Sequence, residues 1–480
     1  MTIAELNPFG EIYDAAVIGG GLAGLNAARE LMHHNVDNVV VLEAQEKVGG
    51  RVADDPNYHT ELGANWFAAS QPAINSLIDA LGIEKFRTYN SGCHVWNSTG
   101  KIKRFTGAMP YLGVLVSIDL LRGFRALRKL SEQVDVVNPL NTPNAAELDN
   151  TTLGIWIEQT LRTKVGRKFF SLAAEVIFSA PAGSLSLLYV LAYSRSSNSF
   201  DSLISVHEGH QEFRVKGGTE SLVRALRNDL DAQVLTGYPV ASIGQDQDYL
   251  TLKSDRLCSP NHVRAKRVIV AVPPACAVRI QFEPGLDVGR AKYLQSVPQG
   301  HIVKVLLFFE RPFWRDYGYS GQIMGAGDPF AYCIDDSPED GAFGALAMFI
   351  GPTAVHEMLP LDPSRVRQQA VNFINVSFGV ESPQPVDVCV KDWADNRWVG
   401  GAYGGYCPPG VISRYRKHLS ADNDPIFWAG AEYAHEHMCQ MEGALQTGAQ
   451  AAALCAASLH RDEKGPVETA EPHTKRMNIS

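Results

Sequence analysis

A chain that reads Asp14-Ala15-Ala16-Val17-Ile18-Gly19-Gly20-Gly21-Leu22-Ala23-Gly24-Leu25 has little freedom in how it begins to fold. The apolar run reads as a short buried strand, the glycines as a turn, and Leu22 onward as the opening of a helix. Gly19, Gly21 and Gly24 fit the spacing G-x-G-x-x-G, and Ala23 is the small residue beside them. In that pattern the first glycine permits a tight turn. The second lets the backbone approach a pyrophosphate, and the third lets helix and strand pack closely. The helix N-terminus then aims N–H groups and the positive end of its dipole at phosphate oxygens.

The motif alone is weak evidence, and its surroundings strengthen it. Ala27 to Met32 continue a helical pattern, and Asn38 to Leu42 form a second apolar strand ending in Glu43. An acidic residue about 20 positions beyond the glycines suits a ribose hydroxyl. Lys47-Val48-Gly49-Gly50-Arg51 follows, where glycine lets backbone lie close to a cofactor and arginine can fork onto phosphate. Glu61-Leu62-Gly63-Ala64-Asn65-Trp66-Phe67 reads as another strand end. No second G-x-G-x-x-G unit follows, so one dinucleotide domain is indicated.

At 480 residues the chain is long enough for two or three domain-sized units. Its net charge of −9, with no long basic run, argues against a nucleic-acid partner. The 8 cysteines are scattered without C-x-x-C pairs, the usage of a reducing compartment. Met1 to Tyr13 lack a signal-peptide core, and no run of 18 apolar residues reads as a membrane span. A cytoplasmic location is therefore expected.

Farther along, Met109 to Leu130 reads as a helix with basic residues interspersed, packed in a helical lobe rather than laid on a membrane. Val136 to Asn150 reads as a loop, and Leu148 to Thr152 as a capped start for a helix over Ile155 to Leu161. Val234 to Ile243, Val297 to Phe309 and Phe427 to Glu432 read as strands. The second of these carries Lys304, a charge that is costly in so apolar a run unless paired or hydrated. Met441-Glu442-Gly443-Ala444 opens a helix of small residues, whose N-terminus suits a place where negative charge develops. Ala434-His435-Glu436-His437 lacks the His-Glu-x-x-His spacing of a metal site, so no metal is expected, and His435 or His437 is a candidate cavity residue.

The glycine fingerprint, Glu43, Gly49-Gly50-Arg51 and Glu61-Leu62-Gly63-Ala64 together resemble the FAD-dependent amine oxidases, the monoamine oxidases most closely. The resemblance extends over roughly residues 14 to 457. It implies FAD and an α/β fold: a Rossmann-like FAD-binding domain (1–90, 210–285, 400–460) with a mixed-sheet plus helical substrate-binding domain (91–209, 286–399) and a polar tail (461–480). It further implies cofactor-binding roles for Gly19, Gly21, Ala23, Gly24, Glu43, Gly50, Arg51, Val240, Trp393, Glu432 and Met441. Lys304 would hold a water beside the flavin, Tyr403 would orient the amine, and Tyr332 and Gln440 would join Tyr403 in the substrate pocket.

Two departures from the family pattern carry expectations of their own. Gly400-Gly401-Ala402-Tyr403 stands where monoamine oxidase has Gly-Gly-Cys-Tyr, and alanine forms no thioether. FAD is therefore expected to be non-covalent, with Cys407 as the rival attachment point. Gln440 replaces one of two cage tyrosines, which suggests a substrate carrying an extra polar group. The implied reaction oxidises a C–N bond to an imine, with O2 as acceptor and H2O2 as product. A biosynthetic flavoenzyme acting on a larger nitrogenous metabolite and a non-catalytic flavin scaffold stay open. An amino-acid oxidase is less favoured, because Gly63 to Trp66 offer no arginine for a carboxylate. The expected partners are a small amine and O2, with a homodimer as the possible assembly.

Overall fold

The computed structural model describes residues 12–107, 109–256, 262–326, 329–358, 360–419 and 424–464. Among these residues the chain forms two large sheets. The first has eight strands, with Tyr13–Ile18 lying between Val39–Leu42 and His262–Val270 and parallel to both. Strands covered on both faces read as unbroken apolar runs, and Ala15 to Ile18 and Val39 to Leu42 are buried throughout. The helix Leu22–His33 packs against the last helix, Met441–Lys464. That packing is close because of glycine: a Cβ added at Gly448 would stand 2.4 Å from the Ala23 carbonyl oxygen. Asn26 Nδ2 donates to the Leu445 carbonyl across the same contact, at 2.9 Å.

The second sheet has seven strands in the order Asp387–Asp392, Val303–Phe309, Gly344–Ile350, Phe330–Asp335, Tyr319–Gly325, Cys93–Ser98, Lys101–Phe105. It is mixed, since Tyr319–Gly325 runs parallel to Cys93–Ser98 and the other pairs are antiparallel. Val303–Phe309 is buried at all seven positions. A lobe of helices, among them Val114–Ser131, Lys164–Phe178 and Leu187–Ser196, packs around Leu120, Phe124, Phe170 and Leu191.

Several sequence expectations change at element boundaries. Glu61 to Phe67 is no strand; it makes only the single bridges Asp54–Glu61 and Phe67–Phe213. It is instead pressed onto the Arg51 turn, where a Cβ at Gly63 would lie 2.0 Å from the Arg51 carbonyl oxygen. The expected strand over Val234 to Ile243 is two strands, Gln233–Leu235 and Val240–Gln245. Gly237, at φ +66°, and Pro239 interrupt it, one by turning the chain and one by lacking a ladder donor. The region read as a loop contains the helix Ala145–Asn150, and the next helix, Leu153–Thr160, is capped by Thr152, whose hydroxyl accepts from the Ile155 N–H. The strand expected from Phe427 ends at Trp428, because Gly430 at φ +140° turns the chain into a short 3-10 segment. Lys304's strand begins at Val303 rather than Val297. The helix expected from Met109 begins at Val114; its Leu120, Phe124 and Leu127 are buried, whereas Leu115, Ile118 and Leu121 face outward. The last helix runs through Lys464 into the expected polar tail, whose residues 465–480 lie outside the described residues.

Candidate active site

One cavity of about 360 Å³ is lined by residues of both sheets and the helical lobe. Of the residues singled out from sequence, Gly19, Gly21, Ala23, Glu43, Gly50, Arg51, Val240, Trp393 and Met441 border it, together with Lys304, Tyr332, Tyr403 and Gln440. Gly24 and Glu432 stand behind the wall. A Cβ on Gly24 would lie 1.9 Å from the Gly19 carbonyl oxygen, so this glycine shapes the turn without touching the space.

The glycine turn and the Arg51 turn lie against each other, and a Cβ on Gly50 would stand 3.3 Å from Gly21 Cα. No side chain caps the helix at Gly21 and its first turn carries no acidic residue, so its positive end is open to an anion. Glu43 accepts the Gly20 and Gln45 N–H groups at 2.7 and 2.8 Å, and burial raises its carboxyl. Arg51 closes its fork on Glu432 at 2.5 and 3.1 Å and donates to the Tyr403 carbonyl at 3.0 Å. Burial, the largest influence, pushes the Glu432 carboxyl up, and the Arg51 charge together with the hydrogen bonds from Arg51 and the Gly405 N–H holds the group below its ordinary value. Trp393 is fixed by its indole N–H on the Leu62 carbonyl at 3.0 Å. At the start of the last helix, Glu442 caps the helix Pro72–Ala80 by accepting from Ala73 and Ile74. Its charge is thus spent away from Met441.

Lys304 sits in an inner strand and is 5% exposed, so it does not reach to bulk solvent. Its Nζ donates to the Glu61 carbonyl at 2.5 Å, lies 3.7 Å from Asp336 Oδ2, and is 5.2 Å from the centre of the Trp66 ring. Burial lowers its ammonium. Tyr403 meets Phe349 edge to face at 6.3 Å. The Tyr332 hydroxyl donates to Gln211 Oε1 at 3.1 Å.

Gln440 is held in the wall by its neighbours. Gln71 Oε1 accepts the Ala68 N–H, so Gln71 Nε2 is the donor to Gln440 Oε1, at 2.5 Å. His210 Nδ1 lies 2.8 Å from the same oxygen, and Gln440 Nε2 donates to Ser197 Oγ at 2.9 Å. The polar capacity that made a polar substrate attractive is largely spent inside the protein. His435 and His437 do not border the cavity: His435 faces Arg416, and His437 lies behind Gln71. His210 is the histidine that does. Cys407 is buried away from this space, whereas Cys276 and Cys439 border it.

Phe169, Tyr193, His210, Gln211 and Phe349, none of them singled out from sequence, also line the cavity, as does Trp66 of the Glu61 to Phe67 stretch. Phe169 and Tyr193 lie on helices with many buried residues, Leu187–Ser196 being buried almost all round, where core-facing and cavity-facing aromatics look alike. Gln211, two residues before a strand that begins at Phe213, is the one with a local signal.

The family profile of flavin containing amine oxidoreductases matches residues 22–456. The chain belongs to that family. Among curated relatives, a Mycobacterium tuberculosis protein named as a flavin-containing monoamine oxidase is 31% identical over 464 residues, 96% of this chain and 100% of that one. Two solved amine oxidases share the architecture. Putrescine oxidase bound to putrescine superposes with a TM-score of 0.87 at 27% identity, covering 94% of this chain and 100% of that one. Cyclohexylamine oxidase from Brevibacterium oxydans gives 0.87 at 25%, again covering 94% and 100%. As a flavin amine oxidase the chain is an amine oxidoreductase that uses FAD and acts on small amines. The uncapped helix, the glycine cradle and the acidic strand end fit that dinucleotide. Among the described residues no helix is long and apolar enough to cross a membrane.

Proposed function

We propose that this amine oxidase oxidises the C–N bond of an apolar monoamine to an imine, with O2 as acceptor and H2O2 as product. FAD, when bound, supplies the electron-accepting chemistry. The protein's residues bind, orient and desolvate. Gly19, Gly21, Ala23, Gly50 and the open helix end would take the pyrophosphate, with Gly24 shaping that turn. Glu43 would take a ribose hydroxyl, Val240 the adenine, and Arg51 with Glu432 the region beside the ribityl chain. Trp393 and Met441 would border the isoalloxazine, and Tyr403 would orient the amine. Lys304 would hold a water and place a donor where oxygen is reduced. In this reading the first sheet is the FAD-binding domain and the second sheet with the helical lobe is the substrate domain.

The observation that carries the substrate class is the charge of the wall. Among the described residues, Glu43 is the one carboxylate lining the cavity, and it belongs to the cofactor end. The lobe contributes Phe169, Leu172, Val176, Ile177, Leu203 and Ile204. A second ammonium, such as the far end of putrescine, would be buried there without a counter-charge, at a cost of several kcal/mol. An apolar body gains about 25 cal/mol per Å² instead.

Ala402, in place of a cysteine, supports non-covalent FAD, and the buried Cys407 does not compete for it. All seven described cysteines are unbridged, which supports a cytoplasmic setting; the homodimer rests on the sequence expectation alone. The test is anaerobic bleaching of the flavin by matched monoamines and diamines, followed by peroxide release in air. Cyclic and arylalkyl monoamines should bleach it and putrescine should not. Bleaching by putrescine faster than by butylamine would sink the substrate class, and bleaching without peroxide in air would sink the oxidase reading.

A further inference from the structure

Lys304 belongs to a cluster of four charged side chains, each no more than 5% exposed and drawn from four separate segments: Glu61, Arg214, Lys304 and Asp336. Arg214 ties the two acids together. Its Nη2 donates to Glu61 Oε2 at 2.8 Å and its Nε lies 3.3 Å from Asp336 Oδ1, while Nη1 donates to the Ser337 carbonyl at 2.7 Å. Asn65 Nδ2 donates to Asp336 Oδ1 at 2.8 Å. One oxygen of each acid is thus well served.

The other oxygen of each is not. Glu61 Oε1 and Asp336 Oδ2 are fully buried, and among the described residues neither has a hydrogen-bond partner. The indole N–H of Trp66, whose ring lies against Lys304, has none either. Asp336 Oδ2 has only the Lys304 ammonium at 3.7 Å, too long for a hydrogen bond, and two buried carboxylate oxygens without a donor cost free energy that structures do not ordinarily carry. A proton on one acid removes a like-charge contact and supplies the missing donor, directly or through a buried water.

We propose that Glu61 and Asp336 share one proton and exchange it with Lys304 as the flavin is reduced and reoxidised, making them positioning residues for proton movement at Lys304 Nζ. Burial, the largest influence on each, pushes the Glu61 carboxyl up and the Lys304 ammonium down, which narrows the gap between them. Other charges face the cluster. Asp335, paired with Arg315, acts on Arg214, and Asp54 lies next to Glu61. Asp54, pushed up to about 7 mainly by burial and then by Glu61, lines a second cavity with His59, Glu220 and Lys391. It gives the pair a titratable neighbour that borders this second cavity.

The reaction has a place for such a proton. When a primary amine and O2 become an imine and H2O2, the amine loses two electrons and two protons. One hydrogen leaves the α-carbon with the electron pair of its C–H bond, and the other leaves nitrogen as a proton while the C=N bond forms. Oxygen takes up both electrons and both protons, so one proton has to wait between the two half-reactions.

The proposal rests on FAD occupying the cavity but on neither amine nor oxygen, and its test separates them. The bound flavin is photoreduced without substrate, and reduced-minus-oxidised infrared spectra are recorded in H2O and D2O. The wild type should show a D2O-sensitive band of a protonated carboxyl that changes on reduction. Glu61→Gln and Asp336→Asn should each abolish it. Asp336→Glu should keep it at a shifted frequency, and Asp54→Asn should leave it in place. Absence of the band in the wild type, or its survival in both amide variants, overturns the proposal. Its loss in Asp54→Asn alone would also overturn it. Should the amide variants not fold, the wild-type band and its shift in Asp336→Glu decide the matter.

Discussion

Replacing Lys304 with Met removes a buried donor and charge while keeping an apolar stem of similar length. Reoxidation of the flavin by O2 should slow by about 100-fold, the usual loss when one preorganised donor is removed, while reduction by the amine changes far less. Stopped-flow measurement of the two half-reactions checks this, and equal slowing of both would refute the role. Arg51→Met leaves Glu432 buried without its partner, which should cost about 3–5 kcal/mol in urea unfolding. Adding Glu432→Gln should recover part of that loss. Asp54 makes a pH prediction. Its carboxyl is raised from 3.8 to about 7 in the folded state, so the folded chain binds a proton that the unfolded chain releases. Its contribution to stability is therefore whole below pH 3.8 and is lost as pH rises through about 7. Asp54→Asn should flatten that fall, by at most about 4 kcal/mol at 1.36 kcal/mol per unit. Urea unfolding across this window, comparing wild type and variant, measures it.

At the scale of elements, the contact between Leu22–His33 and Met441–Lys464 joins the two ends of the chain behind the cavity. Gly448→Ala would drive a methyl group to 2.4 Å from backbone, so one helix must move. A loss of about 1–3 kcal/mol, the cost of overpacking, is expected in thermal or urea unfolding, together with weaker FAD retention on gel filtration. The outward face of Val114–Ser131 behaves differently. Leu115 is 77% exposed, so a polar residue there should shift stability by no more than about 0.5 kcal/mol. These elements also show where local pattern fails. The splitting of Val234 to Ile243 was signalled by Gly237 and Pro239, yet the helix at Ala145–Asn150 was hidden by flanking prolines and polar residues. Packing, rather than propensity, sets such short elements.

For the whole molecule, the FAD reading predicts that acid precipitation releases all yellow colour into the supernatant. Adding FAD to the apoprotein at 100 times its Kd should stabilise it by about 2.7 kcal/mol, seen as a rise in Tm. The sequence by itself determined the cofactor cradle. A strand, a glycine turn, a helix and an acidic strand end are consecutive, and the backbone conformations they need are local properties of the residues that carry them. Lys304 was also legible, because a lysine inside so apolar a strand demands a partner wherever the strand goes. Only the tertiary structure decided what that partner is: Glu61, Arg214 and Asp336 converge from segments up to 275 positions apart. It likewise joined Gln71, Ser197, His210 and Gln440 into one hydrogen-bonded wall, and left the substrate end without a carboxylate. Such groups are identified by what they face across space, and a linear pattern holds no record of facing.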